Sequence, residues 1–253
     1  MTHPDTARMP RSRIILIAVL LILIAGLGGW LGARAFADPA AGLSATDRRA
    51  IESVVREYIL ENPEILPQAM ENLQHKSNAK ALASVNDEVK TPYSGAVLGN
   101  PTGSVTLVEF SDFACGYCRQ SVGDIEALLK ANPDLRIVVR ELPILSEDSA
   151  AAARMALAAA EQGKYHAFYH AMFAIGRPDA RTIEAAARQA GLDLDQARVA
   201  VASPRVEKEI ARNLELARHL GFNGTPSWIA GDKLISGAVG ADELAKVLKD
   251  APN

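Results

Sequence analysis

The stretch SVTLVEFSDFACGYC, residues 104–118, holds both cysteines of a chain of 253 residues. Its opening, Ser104 to Phe110, is nearly continuously apolar, as expected of a strand in a sheet covered on both faces. A helix is predicted from about Cys118 to Ala131, and LRIVVREL, residues 135–142, reads as a second strand. Strand, helix and strand within about 40 residues make a βαβ unit, so the two strands are expected to be parallel.

Cys115 and Cys118 have three competing uses. As metal ligands they supply two thiolates, half of a tetrahedral zinc site, and His166 and His170 in KYHAFYHAMF could supply the rest. The intervening loop is far longer than in a zinc finger, and the two histidines also read as surface residues of an aromatic-rich helix. Copper(I) on the two thiolates suits the softness of sulfur better. As a structural staple the pair is weak, because closing a four-residue loop contributes only about 1.9 kcal/mol, against about 3 kcal/mol for 15 residues.

The redox reading accounts for position as well as composition. Cys115 falls where a strand gives way to a helix, and unpaired backbone N–H groups at the helix start favour an anion there. That position raises the thiolate fraction. Cys118, one turn inside, is shielded and placed to attack a mixed disulfide on Cys115. Cys115 is thus expected to be the nucleophile and Cys118 the resolving thiol. A C-x-x-C at a βαβ junction is a far stronger signal than the motif alone.

Composition narrows the partners. A net charge of −3 shows no basic surplus, so nucleic acid is not an expected partner. At this length a core forms without disulfide help. Near the start, Arg8, Arg11 and Arg13 precede an uncharged run over residues 14–33. About 20 apolar residues match the bilayer core, and the flanking positive charge keeps residues 1–13 cytoplasmic. Everything after Arg34 is then exported. The run is read as a retained anchor or as a signal sequence cut after Ala37, in Ala35-Phe36-Ala37.

Residues 44–90 read as a helical segment. Ser44 and Asp47 form a capping box before Ile51, Val54, Val55, Tyr58 and Ile59. Asn62-Pro63 is expected to restart the helix, with Asn62 as N-cap and Pro63 at N1. Ile65, Leu66, Ala69, Met70 and Leu73 continue the apolar stripe, which must be covered by a second copy of the chain or by its own main domain. TPYSGAVLGNPTG, residues 91–103, is rich in Gly and Pro and ends the helical segment. Residues 146–220 read as helices closed at Gly163, Gly191 and Gly221. TPSWIAGDKLISGAVG gives a hairpin turning at Gly231-Asp232, and ADELAKVLKD a final amphipathic helix.

VEFSDFACGYC, followed more than 100 residues later by GFNGTPSW, resembles the DsbA-like branch of the thioredoxin superfamily, envelope thiol–disulfide oxidoreductases. The resemblance covers about residues 92–251. It implies an α/β thioredoxin-like fold with an inserted helical subdomain at about 146–220, here preceded by a transmembrane helix and an N-terminal helical segment. It places a cis-proline at Pro226, after Thr225, opposite the cysteines. That turn is expected to leave the Thr225 backbone free for an extended substrate. The resemblance also makes Glu109 a buried acid that exchanges protons with Cys118, where the strand alone leaves it equally able to point outward. Gly116 and Tyr117 fall at the substrate surface.

Tyr117 stands where the strongest oxidants of the family carry histidine, so CGYC with threonine before the cis-proline is closer to isomerase-type and ScsC-like members. The resemblance implies that the cysteine pair carries the electrons with no dissociable cofactor. Expected partners are cysteine-containing exported proteins and a membrane redox partner that reoxidises or reduces the pair. Residues 44–90 are a candidate homo-oligomer interface. The expected location is the periplasmic side of the inner membrane, or the periplasm if the chain is cut after Ala37. The direction of electron flow stays open, and the rival function is a copper-binding or copper-resistance protein using the same two sulfurs.

Overall fold

The computed structural model describes residues 43–250. The basic N-terminus, the 14–33 run and the Ala37 cleavage site lie outside these residues. Among the described residues no helix is long and apolar enough to cross a membrane. Two compact units divide at Ala69 and Met70.

The first unit carries α1, Ala45–Glu61, and the start of α2, Ile65–Ala83. Ser44 and Asp47 form the expected capping box, closing two otherwise orphaned N–H groups. Asn62 departs from expectation. It closes α1 instead of opening α2, because its backbone N–H and its Nδ2 both donate to the Tyr58 carbonyl, each at 2.9 Å. Pro63 therefore lies in the turn, outside the helix. No residue of α1 is buried; Ile51, Val54, Val55 and Tyr58 are all exposed.

The second unit is built on five strands: β1 Val97–Gly99, β2 Val105–Ser111, β3 Leu135–Glu141, β4 Ser227–Ala230 and β5 Lys233–Ser236. Their order is β1-β3-β2-β4-β5. β2 and β3 are parallel, as the βαβ reading requires, with Glu109 opposite Val139 and Ser111 opposite Glu141. The other pairings are antiparallel. β1 departs from expectation: the Gly- and Pro-rich 91–103 stretch ends the helical segment, yet three of its residues pair with β3. Such a short strand exists only through its partner, so no local pattern announces it.

Alternation along β2 divides the core between two faces. Leu107 joins Ile137, Val139 and Trp228 on one side. That side is covered by α4, Gly116–Ala131, by the helical insertion, and by the last helix, α10, Gly240–Asp250. Val108 and Phe110 join Val138 and Ile229 on the other side. There they meet Leu82 of α2, Val89 of the short α3 (Asn86–Lys90), and Leu216 and Leu220 at the end of α9 (Pro204–His219). Leu82 and Val89 are thus core residues of this unit, although the 44–90 stretch reads as one separate segment.

The insertion comprises α5 Glu147–Glu161, α6 Tyr165–Ile175, α7 Ala180–Gln189, α8 Leu194–Val201 and α9 Pro204–His219. Residues 147–175 hold two helices, separated at Gly163, where φ is +67°. Gly191 and Gly221 likewise adopt the left-handed conformation that closes a helix. α8 lies inside the 146–220 stretch that reads as helical, though no glycine marks its end. Asp193 caps it, accepting from the N–H groups of Asp195 and Gln196.

Candidate redox site

Cys115 is the N-cap of α4, in an extended conformation, and the helix begins at Gly116. The side chain makes no capping bond. Its Sγ–H instead donates to the Thr225 carbonyl, at 3.2 Å, across 110 residues of sequence. The Thr225-Pro226 peptide is cis. This loop is held behind by the Gly237 N–H donating to the Pro226 carbonyl (2.8 Å) and by Trp228 Nε1–H donating to the Gly237 carbonyl (3.0 Å). The Thr225 backbone is therefore engaged here, through its carbonyl.

The two thiols, both free, differ in access: Cys115 is 7% exposed and Cys118 not at all. Burial, and next the charge of Glu109, push the Cys118 thiol far above its ordinary range. Gly116 faces open space, since an added Cβ would meet nothing within 4 Å. Tyr117 is exposed and apolar, as are Ile144 and Leu145.

Glu109 is fully buried on the α4 face of β2, which settles its direction within the fold. Burial pushes its carboxyl up to about 7, against an opposing hydrogen bond from Tyr169. The Tyr169 hydroxyl donates to Glu109 Oε2 at 3.1 Å. One turn earlier on α6, the Tyr165 hydroxyl donates to Glu141 Oε1 at 2.6 Å. Two buried acids on neighbouring strands are thus each met by a tyrosine of the insertion. Desolvation raises the Glu141 carboxyl as well.

Sequence reasoning missed these tyrosines, although their i, i+4 spacing in KYHAFYHAMF was a usable sign. It also missed Asp112. Asp112 Oδ1 accepts from the Ala114 N–H (2.8 Å), while Oδ2 accepts from the N–H groups of Ile144 (2.9 Å) and Leu145 (3.1 Å). The cysteine loop and the loop after β3 are joined through that one carboxylate. His166 and His170 do not approach the cysteines; both lie against Glu126 of α4.

A DSBA-like thioredoxin domain matches residues 106–249, more than half of the chain. The chain belongs to the DsbA-like thioredoxin family. A second family, the copper resistance protein ScsC N-terminal domain, matches residues 47–80. Solved structures agree with the DsbA-like assignment. A thioredoxin-like oxidoreductase from Silicibacter pomeroyi DSS-3 is 42% identical, with TM-score 0.62, covering 65% of this chain and 95% of its own. A variant of Proteus mirabilis ScsC is 28% identical, with TM-score 0.66, over 83% and 97%. The thiol-disulfide exchange protein alpha-DsbA2 of Wolbachia pipientis is 28% identical, with TM-score 0.64, over 70% and 97%.

Among curated relatives, the Na(+)/H(+) antiporter NhaA of Herminiimonas arsenicoxydans is 30% identical over 155 residues. Those residues are 60% of this chain and 25% of the antiporter, so the chain spans about a quarter of the curated relatives it matches.

Proposed function

We propose that this DsbA-like chain is a thiol–disulfide oxidoreductase acting on cysteines of exported proteins, with Cys115 as nucleophile and Cys118 as resolving thiol. The observation that carries the proposal is the placement of Cys115 at a helix N-terminus, touching the cis Thr225-Pro226 loop, while Cys118 is sealed behind it.

The Cys115 thiolate attacks one sulfur of a substrate disulfide and forms an S–S bond to it. The other substrate sulfur leaves as a thiolate and takes up a proton. Ionisation of Cys115 removes the donor to the Thr225 carbonyl, which frees that oxygen for an N–H of an extended substrate chain. Cys118 then loses its proton to the Glu109 carboxylate and attacks Cys115, releasing the second substrate thiolate. A carboxyl near 7 both accepts and returns a proton at neutral pH, so the same residues serve either direction of electron flow. Tyr117, Ile144 and Leu145 offer apolar surface to an unfolded polypeptide.

Insulin reduction by dithiothreitol, with and without the chain, tests the reading. Acceleration is expected from the parent and not from Cys115→Ser, while Cys118→Ser accumulates a mixed disulfide with substrate on gels. Acceleration that survives Cys115→Ser sinks the assignment.

The exposed apolar residues of α1, with the ScsC N-terminal match over the same stretch, support self-association through residues 44–90. The 14–33 run supports export to the outer face of the inner membrane, checked by protease access in spheroplasts. The name of that second family also favours a copper reading. Reduced protein that binds copper(I) tightly through Cys115 and Cys118, without exchange activity, would replace the enzyme reading.

A further inference from the structure

Outside the cysteine site, three side chains able to ligate a metal converge between α4 and α6. Glu126 lies two turns beyond Cys118, ~12 Å along α4 at 1.5 Å per residue. His166 and His170 occupy one face of α6 at i and i+4. We propose that Glu126, His166 and His170 bind a divalent transition cation, with zinc as its representative, clipping α6 of the insertion to α4.

The donor set fits. Two neutral imidazoles and a carboxylate suit zinc, whereas copper(I) prefers the thiolates elsewhere in the molecule. The two carboxylate–imidazole distances fit as well. One donor atom from each residue lies within 4.8 Å of the others. Glu126 Oε1 is 2.9 Å from His170 Nε2 and 3.6 Å from His166 Nε2. Bonds of ~2.0–2.1 Å at tetrahedral angles space donor atoms ~3.3 Å apart, between those two values.

A simple ion pair explains the proximity of the groups but not their orientation. His170 Nε2 is buried, yet it makes no hydrogen bond, even with a carboxylate oxygen at 2.9 Å. A protonated imidazole paired with Glu126 would aim its N–H at that oxygen. A lone pair directed toward a shared ion need not. An open depression lined by Gly99, Leu129 and Lys130 adjoins Glu126 and His166, leaving room for water to complete the coordination.

Zinc titration calorimetry on the full chain in detergent tests the site. A Cys115→Ser/Cys118→Ser background takes the thiolates out of competition. One zinc per chain is expected, with affinity at least tenfold weaker after His170→Gln and again after Glu126→Gln. Zinc should raise the thermal midpoint of the background protein and leave the variants unmoved. Glu126 is half-exposed, so Glu126→Gln carries the test if His170→Gln fails to fold. Carbethoxylation mapped by mass spectrometry needs no variant in the triad: zinc should protect His166 and His170. No zinc bound, affinity unchanged by the substitutions, or equal modification with and without zinc overturns the proposal.

Discussion

Glu109 keeps its proton up to about pH 7 in the folded chain, while the unfolded chain releases it near 4.5. Folding therefore takes up a proton between those values, so stability falls as pH rises through the window and levels off above about 7. A shift of this size corresponds to roughly 3 kcal/mol. Glu109→Gln should consequently stabilise the protein by up to about that amount at pH 8, and by little at pH 4.5, in urea melts at the two values. Because Glu109 takes the proton of Cys118 in the proposed cycle, resolution of the mixed disulfide should accelerate as pH rises through about 7. Glu109→Gln should flatten that step in stopped-flow traces. Tyr169→Phe removes one bond that favours the carboxylate, and should move the inflection upward by up to about one pH unit. None of this could be read from residue 109 alone. A strand buried on both faces gives no alternation to say which side its acid faces.

Elements were legible where their own residues set them. α4 begins at Gly116 with Cys115 as its N-cap, at the strand-to-helix junction the redox reading requires, though two residues ahead of the boundary drawn at Cys118. The capping box of α1 and the hairpin at Gly231-Asp232 stand where local chemistry put them. The misses have local explanations too. Asn62 can serve either end of a helix, and the Tyr58 carbonyl captured it for the C-terminus. β1 needs β3 to exist. The α1 stripe supports a prediction at this scale. Val54→Asp with Tyr58→Asp should lower the sedimentation mass without moving the thermal midpoint of the second unit, since no α1 residue is buried. An unchanged mass would mean that another surface, or none, joins copies of the chain.

At the scale of the whole second unit, one buried cation holds distant segments together. Arg140 of β3 is 2% exposed. It donates to Glu209 (2.7 Å) and Asn213 (3.1 Å) of α9, and to the Val89 carbonyl (3.2 Å) of α3. Arg140→Met should cost roughly 3 kcal/mol or more in urea unfolding, because Glu209 and the α3 carbonyls lose their donor together. Proteolysis within residues 84–91 should speed up in the same variant. A charged residue inside an apolar strand gives no hint of such partners, which lie about 50 and 70 residues away along the chain.

Local chemistry, being set by neighbours a few residues apart, was sufficient to write the βαβ unit, the thiol at a helix start, the capping box and the hairpin into the chain. Other relations join residues brought side by side only when the sheet closes: the thiol on the Thr225 carbonyl, tyrosines of the insertion on two sealed acids, and histidines turned to Glu126 instead of to sulfur. Periodicity fixes which residues share a face. Which face meets which is decided by burial and hydrogen-bond satisfaction across the whole fold.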